Sequence, residues 1–246
     1  MIGVFDSGIG GLTVLADLEA ELPDERLAYV GDRAYCPYGG RPAEEIIART
    51  FAIADELVAE GATLLVVACN TATIAAIGPL RARHALPVVG IEPAVKPAVA
   101  QSRTRVVGVL ATEGSLGGAK FHGLVAEHRG DAEVLTQPCP GLVDRIESGD
   151  LHGPATRALV EEFVRPLVEA GADTLVLGCT HYPLVRDLIS EAAGPGVALI
   201  DPGAAIAKRT RALLAERGAL SAGPGSVDLR ATDGSDLEPL YRSLSR

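Results

Sequence analysis

Two cysteines, Cys69 and Cys179, close two apolar runs that resemble one another. Segment 61–73 reads Gly-Ala-Thr-Leu-Leu-Val-Val-Ala-Cys-Asn-Thr-Ala-Thr, and segment 171–183 reads Gly-Ala-Asp-Thr-Leu-Val-Leu-Gly-Cys-Thr-His-Tyr-Pro. A thiolate is an effective base once its surroundings lower a thiol pKa that is ordinarily about 8.5. A helix start is expected after each cysteine, at Asn70-Thr71 and at Thr180-His181. The N–H donors and positive field of a helix start favour an anion, whether thiolate or substrate carboxylate. His181 titrates near neutral pH and can exchange a proton with the thiol or with substrate; otherwise it is a turn histidine bonded to backbone. A lone cysteine in such a place is more often a small buried hydrophobe. Two at equivalent places reverse that preference, and suggest similar groups acting on both faces of one substrate.

Asp6-Ser7 ends another apolar run and precedes Gly8-Ile9-Gly10-Gly11. The glycines let the backbone turn tightly and approach a ligand. The Gly-Lys-Ser/Thr ending of a P-loop is absent, and no GxGxxG stands with a partnering acid some 20 residues on. Asp6 is either a helix N-cap or a catalytic acid. Residues 36–42, Cys-Pro-Tyr-Gly-Gly-Arg-Pro, are too rich in Pro and Gly for regular structure. They form a loop, either an ordinary connection or one that closes over substrate. Cys36 and Cys139 lack the strand-end placement and stay outside the chemistry. The four cysteines show no CxxC or CxH spacing, so a structural zinc site has little support.

The elements that must hold these residues alternate between helical and strand-like patterns, as in α/β proteins with mainly parallel strands. Short apolar runs after Gly-Ala turns are the mark of fully buried parallel strands, and ligands of open α/β sheets bind outside their carboxyl ends. Strands are expected at 2–5, 26–30, 64–68, 87–91 and 105–110, with helices at 10–22, 43–60, 71–84 and 154–170. The landmarks recur in order: a first strand with a glycine-rich turn, a long helix, a cysteine strand, then a strand with a proline turn (Ile91-Glu92-Pro93 and Ile200-Asp201-Pro202). A duplicated unit follows. The expected division is a discontinuous first domain, 1–97 plus 208–246, and a second domain, 98–207. Each would carry a mainly parallel sheet flanked by helices, with the active site in the cleft between them.

Composition narrows the classes. At 246 residues, 48% hydrophobic and 22% charged, the chain is globular. A net charge of −10 argues against broad phosphate-backbone binding, so no nucleic-acid partner is expected. No charged region followed by an apolar signal core opens the chain, and no apolar run reaches bilayer length. A cytoplasmic location, with reduced thiols, is therefore expected.

Phe5-Asp6-Ser7-Gly8-Ile9-Gly10-Gly11-Leu12-Thr13-Val14, Gly31-Asp32, Pro37-Tyr38-Gly39, Ala68-Cys69-Asn70-Thr71-Ala72, Val89-Gly90-Ile91-Glu92-Pro93-Ala94, Leu110-Ala111-Thr112-Glu113-Gly114 and Leu177-Gly178-Cys179-Thr180-His181-Tyr182-Pro183-Leu184 together resemble glutamate racemases, within the aspartate/glutamate racemase superfamily. The resemblance implies cofactor-independent interconversion of L- and D-glutamate for peptidoglycan synthesis, needing neither metal nor pyridoxal phosphate. It implies that Cys69 deprotonates D-glutamate and Cys179 L-glutamate, assisted by Asp6 and by His181. Glu147 falls where the family has an acid near the site. Substrate contacts are implied for Asp6, Ser7, Tyr38, Gly39, Asn70, Thr71, Thr180 and His181, and two copies are implied to pair as a homodimer.

Rival readings are an aspartate or hydantoin racemase, a decarboxylase of the same fold, or a non-catalytic amino-acid-binding or regulatory protein. A decarboxylase needs only one proton-donating thiol. A substrate panel and the two Cys→Ser variants discriminate the rest.

Overall fold

In the computed structural model, residues 1–245 are described, and the chain divides into two compact units. The first comprises Met1–Ile91 together with the segment from Gly203 onward; the second is Glu92–Pro202. These boundaries fall a few residues before those expected from the sequence. Helix α4 (Val95–Gln101) packs on the second unit's strands, whereas helix α10 (Gly203–Glu216) packs along α1 (Leu12–Glu21) of the first.

The first unit runs β1 (Ile2–Asp6), α1, β2 (Arg26–Gly31), α2 (Ala43–Ala59), β3 (Leu64–Val67), α3 (Asn70–Arg83) and β4 (Val88–Gly90), and is completed by α10, β9 (Ser226–Ala231) and α11 (Glu238–Leu244). Its sheet is ordered β4-β3-β1-β2-β9, with every pairing parallel. The second unit runs α4, β5 (Val106–Ala111), α5 (Glu113–Leu116), α6 (Ala119–His128), β6 (Glu133–Pro138), α7 (Leu142–Glu147), α8 (Pro154–Glu169), β7 (Thr174–Leu177), α9 (Arg186–Ala193) and β8 (Ala198–Ile200). Its sheet is ordered β6-β5-β7-β8, again all parallel. β1, β3 and β7 are buried throughout, which is why they read as unbroken apolar runs.

The internal repeat extends to individual hydrogen bonds. Helix α2 lays Ile46, Ile53 and Leu57 on the core, and α8 lays Val160, Phe163, Val164 and Leu167 there. Both helices end in the same way: Ala62 N–H bonds the Leu57 carbonyl and Ala172 N–H the Leu167 carbonyl, each at 3.0 Å. The turn residues between them are Gly61 (φ +100°) and Gly171 (φ +95°), a left-handed backbone that a Cβ disfavours. Each turn then feeds its cysteine strand.

Strand β9 alternates polar and apolar residues on a half-exposed edge and shows no apolar run in the sequence. It pairs in parallel with β2, Leu27 opposite Val227 through Gly31 opposite Ala231. Arg230 of β9 bonds Glu56 of α2 and Glu60 directly after it. The second unit has no such added strand among the described residues, and β6 is a half-exposed edge. No helix among the described residues is long and apolar enough to cross a membrane.

Candidate active site

Strand register puts Asp6, Ser7 and Cys69 of the first unit and Cys179 of the second at carboxyl strand ends. In the first unit Phe5 lies opposite Val67, so Ser7 and Cys69 both stand two residues beyond that pair. In the second unit Leu110 lies opposite Leu177, and Thr112 and Cys179 hold the corresponding places. Ala68 N–H bonds the Phe5 carbonyl at 2.8 Å and Gly178 N–H the Leu110 carbonyl at 2.7 Å, which fixes the equivalence.

Around Cys69 the setting is a helix start. Cys69 caps α3: the Ala72 N–H donates to its sulfur at 3.4 Å, and the thiol donates to Ser7 Oγ at 3.5 Å. A 14-residue helix begins at Asn70, so its first amides and dipole favour a thiolate at the cap. Asp6 is fully buried, with Oδ2 accepting from Gly11 N–H at 2.8 Å. Asn70 is buried, yet neither atom of its side-chain amide has a hydrogen-bond partner among the described residues. Buried amides are rarely left so, and a pair of unused donor and acceptor atoms beside a thiol is a place for a polar ligand. Thr71 is buried beside it.

Tyr38 sits in the same unit with its ring buried and its hydroxyl donating to Asp32 Oδ2 at 2.6 Å. Asp32 also accepts from Arg49 Nε at 2.9 Å, Arg49 Nη2 at 2.8 Å and Thr232 Oγ1 at 2.9 Å. Burial and then the Asp32 carboxylate hold the Tyr38 phenol far above its ordinary pKa, so it stays protonated. Gly39 follows as a half-buried turn residue. Sequence reasoning gave Asp32 no role of its own; its place directly after β2 was the available signal.

Around Cys179 the setting differs from the expectation. Instead of a long helix there is a short 3-10 turn, Tyr182–Val185, and α9 begins only at Arg186. Pro183 has no N–H to donate to the Cys179 carbonyl, as Thr73 donates to that of Cys69 at 2.9 Å, so the Cys179 carbonyl accepts from Tyr182 N–H and the turn closes as a 3-10 helix. A histidine stands there instead. His181 is buried, with Nδ1 3.7 Å from Cys179 Sγ and Nε2 2.6 Å from Glu147 Oε1 on α7. An ionised carboxylate only accepts, so Nε2 carries a proton and Nδ1 faces the sulfur. Such a pair can take a proton from a thiol and return it. Thr180 is buried next to the cysteine.

Cys139 needs a correction. It follows β6 directly, and its N–H bonds the Ala111 carbonyl at 3.1 Å, as Asp32 N–H bonds Asp6 at 2.9 Å. It therefore does stand at a strand end, at the counterpart of Asp32. The β6 residues Glu133 to Pro138 include a glutamate, a threonine and a glutamine on a half-exposed edge, so no apolar run announced the strand. Burial pushes the Cys139 thiol up to about 12, which keeps it neutral. None of the four cysteines is in a disulfide.

The chain thus presents two all-parallel α/β units, each with a buried thiol at the end of an interior strand and hydrogen-bonding groups around it. Residues 7–210 match the family model described as Asp/Glu/Hydantoin racemase, and the chain belongs to that family. It is an isomerase, an amino-acid racemase. It is 53% identical over 214 residues to a glutamate racemase of Herpetosiphon aurantiacus, covering 87% of this chain and 84% of the relative. The Escherichia coli glutamate racemase solved with L-glutamate and the activator UDP-MurNAc-ala superposes with a TM-score of 0.88 at 33% identity, over 99% of this chain and 94% of that one. The Francisella tularensis enzyme solved with D-glutamate superposes with a TM-score of 0.83 at 30% identity, over 99% and 91%.

Proposed function

We propose that the chain interconverts L- and D-glutamate by moving the Cα proton between two thiols, with no cofactor. The observation that carries this reading is the register equivalence of Cys69 and Cys179, each two residues beyond a matched strand pair. Relatives solved with each enantiomer of glutamate support the choice of substrate.

In one direction the Cys179 thiolate takes the Cα proton of L-glutamate, and the Cys69 thiol gives its proton to the opposite face. D-Glutamate leaves a Cys69 thiolate and a Cys179 thiol, and the reverse turnover restores them. A Cα proton is weakly acidic, so the base must lie within hydrogen-bond reach and the developing charge on the carboxylate must meet donors. Asn70, Thr71 and Thr180 are the buried donors nearest the two thiols in sequence, and Ser7 and Asp6 line the end of β1. The His181–Glu147 pair manages the proton of Cys179, and the helix start manages that of Cys69, with Asp6 assisting. Tyr38 and Gly39 complete the substrate contacts. This reading also carries a supply of D-glutamate for peptidoglycan and the pairing of two copies.

The test is incubation with L-glutamate and, separately, D-glutamate in deuterated water with nothing added. Loss of optical rotation with deuterium entering Cα from both enantiomers is the expected result. Turnover of aspartate but not glutamate would reassign the substrate, and inertness across an amino-acid panel would favour a binding protein.

A further inference from the structure

The turn after β9, residues 232–235, takes no part in the proton transfers, yet it grips the segment that leads from β2 to Tyr38 and Gly39. Thr232 meets that segment three times. Its N–H bonds the Gly31 carbonyl at 3.0 Å, its Oγ1 donates to Asp32 Oδ1 at 2.9 Å, and the same oxygen accepts from Ala34 N–H at 3.1 Å. Arg33 reaches back, with Nη1 donating to Ser235 Oγ at 2.5 Å and lying 3.4 Å from Asp233 Oδ2. Asp233 in turn accepts from Ser235 N–H at 3.0 Å and from Ser235 Oγ at 2.6 Å, so the turn is closed on itself. Each of the two hydroxyls donates once and accepts once, which leaves neither free to rotate.

What the grip holds is Asp32. A carboxylate has about four acceptor sites, and the Asp32 carboxylate is fully engaged: Arg49 Nε and the Tyr38 hydroxyl on Oδ2, Arg49 Nη2 and Thr232 on Oδ1. Tyr38 is 1% exposed and commits its hydroxyl there, so what it and Gly39 offer a ligand is backbone. The N–H groups of Tyr38 and Gly39 bond nothing else among the described residues. Backbone donors serve a ligand only when the loop that carries them is fixed. We propose that Thr232 is a positioning residue for the reaction: its hydroxyl ties the Asp32 carboxylate to the Ala34 amide and so fixes the Tyr38–Gly39 backbone for substrate. The inference rests on the substrate contacts of the reading above. Thr232 itself is exposed, and Arg49 and Tyr38 hold Asp32 without it, so the fold does not depend on this hydroxyl. The second unit has no counterpart of β9 among the described residues, so this device belongs to the first unit.

The test is Thr232→Val in the full chain, beside Thr232→Ser, which keeps the hydroxyl. Amide hydrogen exchange, followed residue by residue by NMR, reads the loop directly. Arg41 N–H, bonded to the Tyr38 carbonyl at 3.0 Å, closes the turn that holds Gly39 and has no contact with Thr232. Its exchange should quicken roughly tenfold in the Val protein, as for the loss of one hydrogen bond to a charged group, and stay near wild type in the Ser protein. For both enantiomers of glutamate KM should rise about tenfold with kcat nearly unchanged, because the weakened contacts serve ground state and transition state alike. The unfolding temperature should move by no more than about 4 °C. A merely structural hydroxyl would lower the unfolding temperature and leave KM alone, and that result overturns the proposal. So would equal effects in the Val and Ser proteins, or faster exchange confined to Ala34. If the Val variant does not fold, Ser235→Ala decides, since it loosens the turn and leaves Thr232 in place: faster exchange at Arg41 with a raised KM supports the proposal, and unchanged exchange overturns it. A wild-type protein inert to glutamate would remove the proposed function, and exchange at Arg41 would then judge the grip by itself.

Discussion

The two units share a scaffold and differ in what surrounds the thiol. Cys69 caps a 14-residue helix and receives a backbone N–H at 3.4 Å, so its thiolate is favoured by a fixed field that no proton transfer disturbs. Cys179 opens onto a short 3-10 turn and faces His181 Nδ1 at 3.7 Å, with Glu147 on the other ring nitrogen at 2.6 Å. The strand-end position beside each thiol diverges as well. Asp32 gathers Tyr38, Arg49 and Thr232 around a fully buried carboxylate, whereas Cys139 is a buried neutral thiol. Duplication preserves backbone geometry because registers and turns are local, while each side-chain environment can change independently around it.

The comparison breaks most sharply at the thiols. Cys69→Ser and Cys179→Ser should each lower racemisation by on the order of 1,000-fold or more, since a serine hydroxyl cannot act as a base at neutral pH. Polarimetry of both enantiomers checks this, and full activity in either variant would remove the two-thiol scheme. Next comes the asymmetry at the strand ends. Asp32→Ala strands the Arg49 guanidinium and the Tyr38 hydroxyl and should cost about 3 kcal/mol in urea unfolding. Cys139→Ala at the equivalent place should cost only about 1 kcal/mol.

Backbone equivalence is tested by Gly178→Ala. Ala68 already occupies that position in the first unit. In the second, a Cβ on Gly178 would sit 2.8 Å from the Leu110 carbonyl oxygen and 3.0 Å from Ala111 Cβ. The strand must then shift, and a loss of about 2 kcal/mol in thermal unfolding is expected. The smallest effect concerns the opposite strand ends. Asp173 accepts from Ser102 Oγ at 2.7 Å and from the Arg103 and Thr104 amides at 2.8 and 3.0 Å. Burial raises its pKa, but these hydrogen bonds outweigh it and hold the carboxyl well below its usual range. A depressed pKa contributes stability that is full above the unfolded value and is lost as pH falls through the folded one. Asp173→Asn should therefore be about 1–2 kcal/mol less stable at pH 7, with the gap narrowing below about pH 4. Thr63 holds the equivalent place in the first unit and does not titrate, so Thr63→Val should give no such pH dependence.

Much of the fold was legible because its signals are local. Apolar runs of strand length, Gly-Ala turns and amphipathic helices gave the parallel units and put Cys69 and Cys179 at strand ends. Edge strands were harder. β6 and β9 carry charged and polar residues, so neither shows an apolar run, and from sequence Cys139 reads as lacking a strand. The α-helix expected directly after Cys179 failed on Pro183, whose missing N–H is legible in the chain.

The sequence by itself determined the repeated α/β pattern and the thiol at the end of each cysteine strand, because strand length, helix period and glycine turns act over a few residues. Only the tertiary structure decided what each thiol and its neighbours meet. Thr232 reaches Asp32 across 200 residues, and Glu147 reaches His181 across 34. Such partners are chosen by packing in three dimensions, where burial makes every unsatisfied polar atom costly and every satisfied one specific.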